Sequence, residues 1–279
     1  MRVELQQVTK TFQQNGRTIE VLQDINLIVD QGEFACLLGP TGCGKSTILS
    51  LIAGLERQDS GTILVNGQPI TGPGPRRVMV FQDAALFPWL TVLGNVEFGL
   101  RMANVPKHER RTAAMAYIKL VHLSKFAHAY PHQLSGGMRQ RVAIARGLVM
   151  QPEILLMDEP FGALDAQTRA VLQEELLEIW QKTGCSILFV THSVREAVGL
   201  ADRVYVLSAR PARVRDIERI EIHRPRQADH AGLVAYQRKV LQSLGEEIEK
   251  VLQEELGEAI RYPEGNPRPP ADRSLGLHI

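Results

Sequence analysis

The spacing of hydrophobic positions changes along the chain, and each change predicts a different kind of element. In the first third, short apolar or alternating runs stop at turns: "RVELQQV", "VLQDINLIV", "EFACLLG" and "GTILVNG", the last two closing on glycine. These predict strands. Between Pro88 and Met150 the spacing becomes helical, with Val92, Val96 and Leu100 on one face and Ile118, Val121 and Leu123 further on, which predicts a helical insert. After it, the unbroken apolar runs "EILLM" and "SILFV" suit strands buried on both faces, and the helix-like "RAVLQEELLEIWQK" separates them. Strand, helix, strand is the rhythm of a parallel sheet, so the core is expected to be α/β.

Beyond Ser208 the pattern weakens. The stretch "ARPARVRDIERIEIHRPR" carries six arginines, but Asp216, Glu218 and Glu221 are interleaved with them, which predicts a solvated strand and turn rather than a nucleic-acid patch. From Leu233 to Leu256, Val234, Leu241, Leu244, Ile248 and Val251 recur at helical spacing and predict an amphipathic helix covering the core or touching a partner, with core cover the favoured use. The closing "RYPEGNPRPPADRSLGLHI" is rich in Pro, Gly and polar residues and is expected to have no fixed structure.

Composition narrows the function classes. At 279 residues and 44% hydrophobic content the chain can bury a sizeable core as one large domain or two small ones. Thirty-two Lys and Arg against 31 Asp and Glu give a net charge of +1, with no basic footprint for nucleic acid or an anionic membrane. The three cysteines, Cys36, Cys43 and Cys185, form no CxxC pair, which argues against a disulfide framework or zinc site and fits a reducing, cytosolic compartment. The opening "MRVELQQVTK" lacks the apolar core of a signal peptide, and no run approaches the roughly 20 apolar residues that span a bilayer. Any membrane role is therefore expected to work through another protein.

Three motifs carry chemistry. "GPTGCGKST" (Gly39, Pro40, Thr41, Gly42, Cys43, Gly44, Lys45, Ser46, Thr47) follows "FACLL" and leads into "ILSLIAGL", giving strand, glycine-rich loop and helix. Its backbone N–H groups are expected to face phosphate oxygens, Lys45 to reach the β- and γ-phosphates, and the Ser46 hydroxyl to ligate Mg²⁺. In "ILLMDEP", Asp158 ends a predicted buried strand, where its carboxylate can hold Mg²⁺ directly or through water, and Glu159 suits deprotonation of an attacking water. In "LSGGMRQR" (134–141), Ser135, Gly136 and Gly137 open an apolar-periodic helix, a second place for an anion.

With "LSGGMRQR" lying between the phosphate loop and "ILLMDEP", the sequence resembles the ATP-binding-cassette ATPases over about residues 1–226. The resemblance implies a P-loop NTPase (RecA-type) core sheet, an N-terminal antiparallel β subdomain and an inserted α-helical signature subdomain at about 88–150. A helical extension at 227–260 and the tail at 261–279 would follow. It implies ATP and Mg²⁺ as ligands, with Phe12 stacking on adenine, Gln82 sensing Mg²⁺ and the attacking water, Glu159 as catalytic base and His192 as the switch near the γ-phosphate. It also implies a second copy: Ser135, Gly136, Gly137 and Met138 of one chain would meet the other chain's ATP, and Asp165 in "GALD" would cross between them. Met138 stands where the family often has Gln; the phosphate contacts come from Ser135 and backbone N–H groups, so the site is expected to remain competent.

The stretches "ITGPGPRRVMVFQDAALFPWLTVLGNVEFGL", "MDEPFGALDAQTR" and "LSARPARV" resemble the importer branch that serves nitrate, alkanesulfonates and taurine. There the apolar segment Leu86, Phe87, Pro88, Trp89 and Leu90 would receive a coupling helix of a membrane permease, with a substrate-binding protein as an indirect partner. The chain would then sit on the cytoplasmic face of the membrane. The rival is a soluble cassette acting on DNA or the ribosome; a phosphate-loop kinase or GTPase leaves Leu134–Arg141 unexplained.

Overall fold

A computed structural model describes residues 1–14, 16–226 and 230–259, so the tail at 261–279 lies outside the described residues. Among the described residues, ten strands form two sheets. Strands β1 (Val3–Gln14), β2 (Arg17–Val29), β4 (Ser60–Val65) and β5 (Gln68–Pro69) make an antiparallel sheet in the order β2-β1-β4-β5. The second contains β3 (Phe34–Leu38), β6 (Arg77–Val80), β7 (Ile154–Asp158), β8 (Ser186–Thr191), β9 (Arg203–Leu207) and β10 (Val214–Arg219). Its order is β10-β9-β3-β8-β7-β6, and only β10 runs antiparallel to its neighbour.

The helices are α1 (Lys45–Ala53), α2 (Val92–Met102), α3 (Lys107–Leu120), α4 (Gly136–Leu148), α5 (Ala166–Thr183), α6 (Val194–Leu200) and α7 (Ala231–Ala259). They explain why β3 reads as an unbroken apolar run. Phe34, Cys36 and Leu38 face a core shared with α2 to α7, whereas Ala35 and Leu37 face a second core built on α1 and the antiparallel sheet. Each fully buried Leu or Phe contributes roughly 1.5–3 kcal/mol, so both faces of this strand select against polar residues.

Val92 and Val96 of α2 are buried, as are Ile118, Val121 and Leu123, in agreement with the helical spacing. Two expectations need correction. On α7 the buried stripe runs through Leu233, Val240 and Leu244. Leu241, predicted on the covered face, is 53% exposed, and the side chains of Ile248 and Val251 lie outside the described residues. Nor is the arginine-rich segment solvated throughout. Arg224 is half-buried, pairs with Asp202 and lies over the Trp180 ring at 4.6 Å. Arg226 donates to the carbonyls of Val198, Gly199 and Ala201, where α6 ends and its last carbonyls lack helical partners. Burial, with Arg224 nearby, lowers the Arg226 pKa to about 10.

Candidate active site

The phosphate loop runs from the end of β3 into α1. Gly44, the residue before the helix, has φ +121°, and a Cβ there would lie 2.7 Å from Leu22 Cδ2 and 2.9 Å from Val21 Cγ1, so glycine alone fits. No side chain caps the start of α1. By contrast α2, α4, α5 and α6 are capped by Thr91, Ser135, Asp165 and Ser193, while α3, which follows Pro106, also starts without a side-chain cap. The first N–H groups of α1 are therefore left for an anion, with the positive end of the helix dipole behind them. Lys45 is 6% exposed, and its Nζ donates to the carbonyls of Gly39 (2.8 Å) and Pro40 (2.9 Å). Cys43 is buried, and burial raises its pKa, so it is a packed thiol rather than a reactive one.

Around this loop lies an open cavity of about 330 Å³ lined by Phe12, Val21, Thr41, Gly42, Lys45, Ser46, Glu159 and Arg210, among others. Phe12 is 36% exposed on the β1–β2 hairpin, with Lys10 Nζ 4.9 Å from its ring centroid. Strand β8 lies between β3 and β7, yet Asp158 at the end of β7 comes near enough to Ser46 for the hydroxyl to lower its pKa. Burial raises the Asp158 pKa, Ser46 and Lys45 oppose that rise, and the neighbouring Glu159 adds to it. A hydroxyl beside a half-buried carboxylate is an oxygen donor set that suits a hard cation keeping most of its shell as water or phosphate oxygens. The residues present fit Mg²⁺.

Glu159 follows Asp158 with φ +43°, an unusual conformation for a non-glycine residue, held by a bond from its N–H to the Val190 carbonyl at 3.1 Å. Its Oε2 lies 3.0 Å from His192 Nδ1. A Cβ built on Gly162 would lie 3.2 Å from Gln82 Nε2 and 3.6 Å from Glu159 Oε2, so Gln82 comes to the same corner. The fold thus gathers Lys45, Ser46, Gln82, Asp158, Glu159 and His192 from four separate stretches of sequence.

It does not bring the "LSGGMRQR" segment there. Among the described residues lining the cavity, none comes from 135–138, and Asp165 is also absent. Ser135 is exposed; its hydroxyl accepts from the Met138 N–H at 3.3 Å, and its own O–H remains free to donate outward. Met138 is half-buried against the helical core, a packing role that Gln is not needed for. Asp165 caps α5 by accepting from Thr168 N at 2.9 Å, and that bond lowers its pKa.

Three further side chains, absent from the sequence-based expectations, hold the segment after β6. Gln140 of α4 donates to the Phe81 carbonyl (3.3 Å), and Arg146 of α4 to the carbonyls of Ala84 (2.9 Å) and Ala85 (2.7 Å). Asn95, fully buried, accepts from Phe87 N and donates to the carbonyls of Phe87, Leu90 and Thr91. They keep Trp89 presented at 70% exposure beside Phe87. A buried Asn within an apolar helical face is the one signal that sequence offered for this.

The family model described as "ABC transporter" matches residues 22–162. An uncharacterized ABC transporter ATP-binding protein of Methanocaldococcus jannaschii is 51% identical over 252 residues, covering 90% of this chain and 94% of that protein. A nitrate import ATP-binding protein of Synechocystis sp. is 52% identical over 214 residues (77% and 80%). An aliphatic sulfonates import ATP-binding protein of Bacillus cereus is 40% identical over 242 residues (87% and 95%). Among solved structures, a bacterial ABC transporter cassette in dimeric form superimposes with TM-score 0.70 at 33% identity, covering 79% of this chain and all of that one. A dimeric post-hydrolysis state bound to ADP and Pi gives TM-score 0.69 at 32% identity over the same shares.

Proposed function

Because the chain belongs to the ABC transporter family of ATP-binding-cassette ATPases, we propose that it is the ATP-hydrolysing subunit of a membrane importer for a small oxyanion of the nitrate or sulfonate class. One observation carries the catalytic part: Glu159, which lines the cavity at the uncapped start of α1, lies 3.0 Å from His192. In this reading ATP binds with Phe12 against the adenine and its phosphates along Gly39–Thr47. Ser46 and Asp158, with Gln82, would hold Mg²⁺, which neutralises phosphate charge. Glu159 takes the proton of the attacking water and His192 orients the γ-phosphate.

Two copies would close head to tail, each supplying Ser135, Gly136, Gly137 and Met138, with Asp165 nearby, to the other's ATP. The exposed Ser135, whose O–H is left to donate, supports this, as does the dimeric state of the structural relatives. Closure would act on a permease through the surface at Phe87 and Trp89, and the chain would lie peripherally on the cytoplasmic face of the membrane. No helix among the described residues is long and apolar enough to cross one. The nitrate and aliphatic sulfonate relatives support the substrate class. Purification from native membranes tests the assignment: a permease and an oxyanion-binding protein are expected to co-purify, with ATP hydrolysis stimulated by the loaded binding protein. Recovery with ribosomes or nucleic acid instead would overturn it.

A further inference from the structure

Arg210 lies in the "LSARPARV" stretch, to which the sequence reading gave no role at the nucleotide site. It sits in the turn between β9 and β10, yet it lines the same cavity as Phe12, Lys45 and Glu159, where it and Lys45 are the two cations among the described lining residues. Its Nε and Nη2 both donate to the carbonyl of Gly42, at 3.1 and 2.5 Å. A two-armed, charge-assisted bond of this kind fixes direction as well as distance. Across a planar trans peptide, C=O and N–H point opposite ways. Pulling the Gly42 carbonyl outward therefore turns the Cys43 N–H into the loop, where it meets the Pro40 carbonyl at 3.3 Å.

What holds Arg210 is the C-terminal helix. Glu247 of α7 is 3% exposed and accepts from the backbone N–H of Ala209, the residue before Arg210, at 3.1 Å. The same carboxylate pairs with Arg215 of β10. Ser208 Oγ closes the turn by donating to the carbonyls of Ala209 (2.9 Å) and Pro211 (3.3 Å). A continuous path of polar contacts therefore runs from α7 through Ala209 and Arg210 to the phosphate loop.

We infer that Arg210 is a positioning residue of the nucleotide site, shaping the phosphate loop from outside, and that α7 sets its position through Glu247. The inference rests on the reading of Gly39–Thr47 as the ATP site. The guanidinium holds the Gly42–Cys43 peptide in the orientation that closes the loop through Cys43 N–H on the Pro40 carbonyl, and it adds positive charge at the mouth of the cavity. Its loss acts on ATP affinity more than on the chemical step, because the base and the switch histidine are untouched.

The test is ATP affinity, read by displacement of a fluorescent ATP analogue, beside steady-state hydrolysis with Mg²⁺. The full-length chain is compared with Arg210→Ala, Arg210→Lys, Glu247→Ala, Glu247→Gln and the Arg210→Ala/Glu247→Ala pair. Arg210→Ala is expected to weaken ATP binding and raise KM about tenfold, the size of one lost charge-assisted bond, with kcat much less affected. Arg210→Lys, which keeps the charge but not the fork, recovers part of the loss. Glu247→Ala shifts KM in the same direction and adds nothing to Arg210→Ala, since both act through one contact. Glu247→Gln, which keeps an acceptor for Ala209, stays nearer the parent chain and serves if the alanine variant does not fold. Unchanged ATP affinity in Arg210→Ala overturns the role of Arg210, and full additivity of the pair overturns the link to α7. Failure of the parent chain itself to bind ATP would overturn the nucleotide-site reading, and this inference with it.

Discussion

Replacing Glu159 by Gln separates two roles that the geometry allows. The carboxylate lies 3.0 Å from His192 Nδ1, and the His192 side chain is 59% exposed. If Glu159 only steadied His192, the loss would be that of a partly solvated side-chain contact, about 0.2–1 kcal/mol, and the rate would fall by no more than about fivefold. If it accepts the proton of the attacking water, the loss is that of a general base, on the order of 10²–10⁴ in kcat. Gln preserves the size and the hydrogen bond to His192 and removes only the basicity, so the two cases do not overlap. The account predicts a fall of more than about a hundredfold in phosphate release under saturating Mg·ATP, again the general-base figure. Equilibrium ATP binding should stay within about twofold, since no phosphate contact in the loop is lost. The stalled variant should also accumulate as an ATP-loaded dimer on gel filtration. Hydrolysis within fivefold of the parent chain would refute the base assignment, whatever happened to binding.

Two further outcomes follow from the site's packing. Gly44→Ala places a Cβ 2.7 Å from Leu22 Cδ2 at φ +121° and is expected to cost about 1–3 kcal/mol. A lowered melting temperature together with lost ATP binding checks this, and normal binding would contradict the described loop. The three thiols are buried with raised pKa values, so each carries less thiolate at pH 8 than a free cysteine, and native alkylation by iodoacetamide should be slow and quicken only on unfolding. The sign for stability follows: a raised thiol pKa contributes fully below the unfolded value of about 8.5, and the contribution is lost as pH rises through the folded one. Melting temperature should therefore decline in the alkaline range, and rapid native labelling of Cys43 would show that burial has been misjudged.

What the sequence disclosed and what it hid divide by the range of the contacts. The phosphate loop is legible because its donors, its cation and the start of its helix lie within nine consecutive residues, Gly39 to Thr47. The two-sided burial of β3, β7 and β8 is legible because a strand covered on both faces has no polar alternation to show. Strands β6 and β9 were not singled out, and nothing local in "RVMV" or "RVYVL" reveals that one lies at the sheet edge and the other beside β3. On α7 the spacing places Leu244 correctly and Leu241 wrongly, because Leu241 stands seven residues after Val234 just as buried Val240 stands seven after Leu233. Most distant from local pattern are Gln140, Arg146 and Arg210, whose partners lie 59 to 168 residues away. A single Arg or Gln states nothing until the fold supplies its acceptor.

The shared site is the central claim, and mixing two defective chains tests it most directly. Lys45→Ala removes the phosphate-loop cation and Ser135→Ala removes the hydroxyl offered across the dimer, so each variant alone should be close to inactive in phosphate release. In a mixed dimer the intact loop of one chain meets the intact Ser135 of the other. Random pairing of equal amounts gives half mixed dimers with one complete site of two, so about a quarter of the parent activity should return. Activity that stays at the level of the separate variants, with mixed dimers demonstrably present, would contradict a site built by two chains.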